Sequence, residues 1–226
     1  MFGVTTPAVD AARARLEELG YEVLVFHATG AGGRALEALA RSGMLAGVLD
    51  LTTTELADDL VGGVLTAGPD RLTAAGIAGI AQVVSFGALD MVNFGPSDTV
   101  PERFADRTFF IHNPTVTLMR TTPEECTRMG EWIAAKLNRM EGPVRFLVPE
   151  GGVSLLDAPG KAFWDPDADK ALFTAIERNF RNSSSRKLVK VPYNINDAGF
   201  VDALLKQFRE VEPKGEGAKQ PSASAR

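Results

Sequence analysis

Short apolar runs alternate along this chain with stretches in which apolar residues recur at helical spacing. The clearest apolar runs lie at 22–26 and 47–51, and each is followed by a turn and then by a helical pattern. Runs of this kind, bounded by turn residues, are typical of buried strands. The alternation of strand, loop and helix predicts a three-layer α/β fold, Rossmann-like, with a mostly parallel sheet and helices on both of its faces.

The same patterns divide the rest of the chain. The predicted strands are the apolar runs at 2–4, 22–26, 47–51, 82–86, 108–112, 144–148 and 187–191. The predicted helices, which begin at caps or prolines, span 7–19, 34–42, 123–138, 167–179 and 198–208, and another begins where Thr52 and Glu55 have capping-box spacing. The stretches 86–107 and 149–165 are predicted loops, and loops of that length in compact domains often bind ligands.

These elements predict one domain over residues 1–210, followed by a disordered tail at 211–226 that has no apolar periodicity. The first predicted strand lies almost at residue 1 and is short. A central strand in that position indicates a neighbouring domain that is missing here or lies on another chain.

Charge and cysteine content exclude several classes of protein. A net charge of -5 and a pI near 5.2 argue against a nucleic-acid-binding face. The start of the chain has no signal-peptide pattern, and its most apolar stretch, 77–94, contains polar residues that a bilayer span would exclude. The single cysteine, Cys126, rules out an internal disulfide and fits a cytoplasmic protein.

A metal site is not predicted from these residues. One cysteine and two histidines leave few ligands for a metal cluster. The acids Glu55, Asp58 and Asp59 leave two alternatives open, which are Mg²⁺ held beside a phosphate and an exposed helix face.

Hydroxyl, amide, imidazole and glycine residues follow the predicted strands. In an open parallel sheet these strand ends lie on one edge, where ligands bind. The segment 29–34, Thr-Gly-Ala-Gly-Gly-Arg, favours an anion, because glycines allow close approach and helix N-terminal amides attract negative charge. The predicted ligand-binding residues are Thr29, Gly30, Gly32, Gly33 and Arg34, with the hydroxyls of Thr5, Thr6 and Thr53. The alternative is a tight turn without a ligand, since neither a P-loop nor a complete dinucleotide motif is present.

A second glycine-rich segment follows the strand predicted at 144–148. Its residues Gly151, Gly152 and Ser154 are predicted to form another loop that binds an oxyanion or phosphate, close to the ligand because the loop should lie at the same edge. The alternative is a long glycine turn that Ser154 caps.

Four residues are candidates for acid–base catalysis: His112, His27, Glu150 and Asp157. Histidine titrates nearest to neutral pH, which suits it to proton transfer. A histidine at a strand end is also commonly a structural hydrogen-bonding group, so both interpretations stay open.

Four separated segments together resemble the UPF0261 (Tm-1-like) family. They are 27–34, 85–91, 112–122 and 149–154, and the resemblance covers about residues 1–210. It implies two Rossmann-like subdomains, ATP binding and self-association, with this chain as the carboxyl-terminal half. It therefore implies ATP or a related nucleotide as ligand, with Mg²⁺ accompanying it, and a homo-oligomer or a partner domain that supplies the amino-terminal half.

Three hypotheses about function follow. The first is a nucleotide-binding or phosphate-ligand-binding domain that uses the glycine-rich loop. The second is a small-molecule enzyme that acts on a phosphorylated or carboxylated substrate, and the third is a module for protein interaction or oligomerisation. Neither nucleic acid nor a membrane is an expected partner.

Overall fold

Two sheets organise the computed structural model, which describes residues 1–212. The strands in chain order are β1 (Gly47–Thr52), β2 (Ala81–Gly87), β3 (Met91–Phe94), β4 (Phe109–Asn113), β5 (Val116–Arg120), β6 (Val144–Pro149) and β7 (Arg186–Val191). The main sheet has the order β1-β2-β6-β7, and all of its ladders are parallel. A second sheet, β3-β5-β4, is antiparallel.

Helices cover both faces of the main sheet. In chain order they are α1 (Thr6–Glu18), α2 (Ala31–Arg41), α3 (Thr54–Val61), α4 (Ala74–Ile77), α5 (Pro123–Leu137), α6 (Pro166–Asn179) and α7 (Ala198–Val211). Side chains that alternate along the strands separate two cores. Phe86 and Phe146 pack with α5 and α6, whereas Leu51 and Leu147 pack with α1 and α7. The predicted three-layer α/β fold is confirmed.

Two predicted strands are wrong. Residues Gly3–Thr5 form one turn of 3-10 helix, which a cap bond from the Thr5 amide to the Phe2 carbonyl closes at 2.8 Å. Residues 22–26 pair with no strand among the described residues, although Val23 packs against the α1–α7 core. Local apolar pattern identified these runs, but a strand also requires a neighbour that pairs with it.

The second sheet was only partly foreseen. The strand predicted at 108–112 exists as β4, but it pairs antiparallel with β5 and does not join the parallel sheet. The predicted loop at 86–107 contains β3, a short strand that follows the turn at Ala88, where φ is 58°. Met91 and Leu118 of this sheet pack against Phe163.

Two helix boundaries also differ from the prediction. Helix α2 begins at Ala31 and not at residue 34, because Gly30 takes the cap position with a φ of 82° that favours glycine. Helix α7 continues to Val211, which is buried, so the helix extends into the region predicted as tail. Residues 213–226 of that tail lie outside the described residues. No helix within residues 1–212 combines the length and apolar character needed to span a bilayer.

Candidate functional site

The carboxyl edge of the main sheet brings the N-terminal turn against β1. The hydroxyls of Thr5 and Thr52 lie 2.8 Å apart and are buried. The Thr53 hydroxyl donates to the Ser85 carbonyl of β2 at 3.0 Å. The predicted residues Thr5 and Thr53 therefore lie at this edge, but their hydroxyls bind other protein groups and face no solvent.

The loop after β6 joins the same edge through Ser154 and Asn194. The Ser154 hydroxyl donates to Asp90 Oδ2 at 2.7 Å, which connects the segments that follow β6 and β2. Asn194, after β7, donates through its Nδ2 to the Gly151 carbonyl at 3.3 Å and to the Asp157 carbonyl at 3.0 Å. Segments that follow three neighbouring strands thus meet in one hydrogen-bonded network.

The predicted glycine-rich loop holds an internal carboxylate. The amides of Gly30 and Gly33 donate to Glu55 Oε1 at 2.6 and 3.0 Å. Glu55 is completely buried, and a Cβ at Gly33 would collide with its carboxylate. Two of the amides expected to bind a ligand therefore bind Glu55. Glu55 therefore does not lie on an exposed helix face, which was one of the two alternatives for it.

Arg71 connects Glu55 to two further buried acids. Its Nε donates to Glu55 Oε2 at 2.6 Å, and its Nη2 donates to Asp50 Oδ1 at 2.6 Å. Glu37, whose side chain reaches Arg71 Nη1 at 3.5 Å, also accepts the backbone amides of Leu72, Thr73 and Ala74. We call Arg71, Glu37, Asp50 and Glu55 the Arg71 cluster.

Sequence reasoning missed the Arg71 cluster, although one signal was available. Asp50 lies in the apolar run of β1, and its residue is only 5% exposed. A carboxylate in a buried strand requires a cationic or hydrogen-bonding partner. The pattern therefore indicated a buried partner, but it did not identify Arg71, which lies 21 residues further along the chain.

The remaining predicted ligand residues near this loop lie at the surface. His27, Thr29 and Arg34 are exposed, and Thr6 is half-buried. The Arg34 guanidinium donates to the Thr66 carbonyl at 3.0 Å, which holds it along the loop between α3 and α4. Gly32 lies so close to the His27 carbonyl that a Cβ there would collide with it. An exposed strip therefore runs along the N-terminus of α2.

The four acid–base candidates are not brought together. No hydrogen bond or ion pair within residues 1–212 joins any two of His27, His112, Glu150 and Asp157. His112 lies exposed at the end of β4, in the antiparallel sheet. Glu150 forms an exposed ion pair with Lys190 at 2.8 Å.

Asp157 belongs instead to a second buried group of charges. Arg120 Nη2 lies 3.0 Å from Asp169 Oδ1 and 3.8 Å from Asp157 Oδ1. Asp90 is buried beside them, and Asp90 Oδ1 and Asp157 Oδ1 have no hydrogen-bond partner among the described residues. We call Arg120, Asp90, Asp157 and Asp169 the Arg120 cluster.

The three aspartates of the Arg120 cluster have raised pKa values. Burial, followed by the charge of Asp157, raises the pKa of Asp90 to about 7 and that of Asp169 to about 8. Burial also raises the pKa of Asp157. Acids with raised pKa values often occur at functional sites. In this protein, however, the side chains of Asp90 and Asp157 are buried away from solvent.

The described residues offer no evident metal site. No group of three or more His, Cys, Asp or Glu side chains within residues 1–212 has a geometry that would hold an ion. Asp58, which was a candidate magnesium ligand, is buried and accepts the amides of Asn93 and Leu65, each at 2.8 Å. Burial raises the pKa of Asp58 to about 7.

Residues 1–212 match the profile of a family described as "Uncharacterised protein family (UPF0261) C-terminal domain". The chain is 54% identical over 211 residues to a UPF0261 protein of Rhizobium meliloti, a match that covers 93% of this chain and 53% of that protein. It is 55% identical over 208 residues to a UPF0261 protein of Clostridium tetani, covering 92% and 51% respectively. It is 49% identical over 225 residues to the ToMV resistance protein Tm-1(GCR237) of Solanum lycopersicum, covering 99% and 30%.

Proposed function

Because this chain belongs to the UPF0261 family and matches its C-terminal domain, we propose that it binds a small phosphate-bearing ligand at the carboxyl edge of the main sheet. The class of ligand is a nucleotide such as ATP. The chain spans about half the length of the bacterial relatives that it matches, for example 53% of the Rhizobium meliloti protein and 51% of the Clostridium tetani protein. The activity of the whole protein is therefore part of the proposal. In this proposal the rest of such a protein completes the site.

The observation that supports the proposal is the convergence of strand ends. The contacts Thr5–Thr52 at 2.8 Å and Ser154–Asp90 at 2.7 Å hold the N-terminal turn and the loop after β6 at one edge. In open α/β sheets the crevice at this edge is where ligands bind. Exposed His27 and Thr29 give the edge polar groups that face solvent.

The ligand contacts differ from those that the glycine pattern predicted. Since Gly30 and Gly33 donate to Glu55, the amides left at the start of α2 are those of Ala31 and Gly32. A helix N-terminus attracts a phosphate oxygen. We infer that these two amides, with the Thr29 hydroxyl, hold the phosphate.

The charges beneath the loop favour a ligand that carries its own cation. Three carboxylates of the Arg71 cluster contact one guanidinium, so acids outnumber bases directly behind Gly30 and Gly33. Excess negative charge opposes a bare polyphosphate. We therefore propose that the ligand binds as its Mg²⁺ complex.

Isothermal titration calorimetry with ATP tests this proposal, in the presence and in the absence of Mg²⁺. We expect binding with Mg²⁺ and at least tenfold weaker binding without it. Titrations with AMP and inorganic phosphate separate recognition of the nucleoside from recognition of the phosphate. A folded protein that gives no heat with ATP under either condition contradicts the proposal.

Ala31→Glu is the sharpest variant, with Ala38→Glu as its matched control. Both alanines are exposed on α2, but only Ala31 lies in the first turn, where a carboxylate competes with the phosphate and is favourable to the helix. We expect Ala31→Glu to weaken ATP binding at least tenfold and Ala38→Glu to leave it unchanged. Equal ATP affinity of the two variants would show that the ligand does not bind at the N-terminus of α2.

A further inference from the structure

A cavity of about 480 Å³ separates residues 22–26 from the edge strand β1. Its two walls are the backbone segments 22–26 and Gly47–Thr52. One face is covered by α1 and α7 through Val9, Leu16 and Phe208, and the other face by α2 through Gly33 and Leu36. The cavity, which we call the strand slot, therefore lies between the same layers that cover a strand of the main sheet.

Neither wall of the strand slot has a strand paired to it across the gap. β1 is the end strand of the main sheet and pairs only with β2 among the described strands. Residues 22–25 make no backbone hydrogen bond to any described strand. An unpaired strand edge is a template for another strand.

Met1 defines the direction and register of a strand in the slot. The Met1 nitrogen donates to the Phe26 carbonyl at 2.8 Å, and the Met1 carbonyl accepts the Ala28 amide at 2.8 Å. These two bonds are the pattern of a parallel ladder in which Met1 lies opposite His27. A strand that continues this register backwards from Met1 lies between residues 22–26 and β1.

The charge on the Met1 nitrogen is unfavourable at this position. Burial lowers the pKa of its amino group, and the nearby carboxylate of Asp50 only partly offsets that effect. A peptide N–H makes the same bond to Phe26 without a charge to desolvate. The position therefore suits the backbone of a strand better than it suits an ammonium group.

We propose that the strand slot takes one parallel β-strand, and that in the longer relatives the stretch of chain directly ahead of the matched domain supplies it. The matched part is the C-terminal domain, and it covers 53% of the Rhizobium meliloti relative and 51% of the Clostridium tetani relative, so further chain precedes it there. The occupant extends the main sheet from β1 to residues 22–26. This inference does not depend on the proposed ligand.

The lining of the slot specifies the side chains of its occupant. On the α1–α7 face the lining is mostly apolar, with Arg13 as its charged member, so every second residue of the strand is apolar. The other face includes Asp50 and Arg71, whose charges already bind each other. The alternate residues on that face are small and not acidic, because the cluster there already holds three carboxylates against one guanidinium.

Hydrogen–deuterium exchange on an extended chain tests the proposal. About ten residues, enough to form one strand, are joined ahead of Met1, with the sequence that precedes the matched region in the Rhizobium meliloti relative. We expect amide exchange at 22–26 and in β1 to slow at least tenfold, and exchange in β7, at the far edge of the sheet, to stay unchanged. Unchanged exchange at both walls overturns the proposal.

The matched control is the same extension with prolines at two alternate positions. Proline donates no ladder bond, so this chain should exchange like the original one. Equal protection by both extensions means that the added residues act without pairing, which also overturns the proposal. If the extended chain does not fold, the same segment is added as a synthetic peptide to the original chain, and slower exchange at both walls is again the expected result.

Light scattering on the original chain, combined with hydrogen–deuterium exchange, tests whether a second copy of the chain is the occupant. We expect the walls to exchange rapidly whatever the protein concentration. Protection of 22–26 that rises with the mass of a dimer would show that another copy of this chain fills the slot, and would overturn the assignment to the preceding stretch.

Discussion

The Arg71 and Arg120 clusters each enclose one buried guanidinium among three carboxylates, but they differ in the donors that reach those carboxylates. Glu37 accepts three backbone amides, Glu55 accepts two, and both oxygens of Asp50 bind Arg71. In the Arg120 cluster one oxygen each of Asp90 and Asp157 lacks any hydrogen-bond partner among the described residues.

The difference lies in which donors satisfy the buried carboxylates of each cluster. Backbone amides stabilise a carboxylate without adding a further charge that must itself be buried. The Arg71 cluster obtains five such amides from the start of α2 and from residues 72–74. The Arg120 cluster has fewer donors, and burial there raises the pKa values of its aspartates. Backbone amides therefore hold the carboxylates of the first cluster in place, whereas burial in the second cluster favours the protonated form of its aspartates.

The most severe test of this comparison is Arg71→Met. Three buried carboxylates would then lose the guanidinium that contacts all of them, and we expect the free energy of unfolding to fall by about 3–5 kcal/mol. Urea denaturation at neutral pH measures it. Arg34→Met is the control, since Arg34 is exposed and makes one bond, to the Thr66 carbonyl. A loss below about 1 kcal/mol would refute the structural role of Arg71.

Arg120→Met is expected to be less harmful and, unlike Arg71→Met, strongly dependent on pH. Its aspartates already have raised pKa values, so they take up protons when the guanidinium is removed. We expect a loss of about 2–4 kcal/mol at pH 8 and about half of that at pH 5. Denaturation of both arginine variants at the two pH values measures the contrast. Equal losses at pH 5 and pH 8 would remove the distinction between the clusters.

Gly33→Ala tests how rigidly the glycine-rich loop holds Glu55. The added Cβ would collide with the Glu55 carboxylate, so the loop or the side chain must shift. We expect a loss of about 1–3 kcal/mol, measured by thermal or urea denaturation. Gly3→Ala is the control, because a Cβ there meets nothing within 4 Å. Similar stability of the two variants would indicate that Glu55 moves aside freely.

The smallest expected effect is the pH dependence of the unmodified protein. The folded-state pKa values of Asp90 and Asp169, about 7 and about 8, lie above the ordinary value of 3.8. The folded state therefore binds more protons, and its stability falls as pH rises through this window. We expect a decrease of about 1–2 kcal/mol between pH 5 and pH 8.

Asp169→Asn should flatten this dependence, and Asp167→Asn should not. Both residues lie in the first turn of α6, but only Asp169 is buried and contacts Arg120. Urea denaturation across pH 5 to 8 measures both slopes. A slope that survives Asp169→Asn would show that the Arg120 cluster is not its source.

The parts of the fold that were predictable carry local signals. β1, β2, β6 and β7 are apolar runs between turn residues, and the start of α5 has a capping box in which Thr122 and Glu125 bond each other's backbone amides. The sequence of residues 22–26 gave no sign that this segment lacks a paired strand. Strand pairing depends on residues far away in the sequence, which a local pattern does not reveal. β3 was missed since four residues after a tight turn are too few to show a period.

The candidate site was predictable as a region and not as a set of contacts. The polar residues that follow the predicted strands were expected to lie at one edge of the sheet. Thr5, Ser154 and the segment after β7 do lie at that edge. The glycine pattern predicted a loop that binds the anion of a ligand, whereas in the structure the amides of Gly30 and Gly33 bind the Glu55 carboxylate. It gave no sign that the anion is Glu55, because that contact spans 25 residues and depends on where α3 begins.

One feature of the main sheet bears on how the chain folds. β2 and β6 are neighbours, yet Gln82 pairs with Val144, and the chain between them builds the whole antiparallel sheet and α5. Closing so long a loop carries an entropic penalty before the ladder gains any hydrogen bonds. We expect the β2–β6 ladder to form late, after the smaller sheet has compacted the intervening chain and shortened the distance that closure must span.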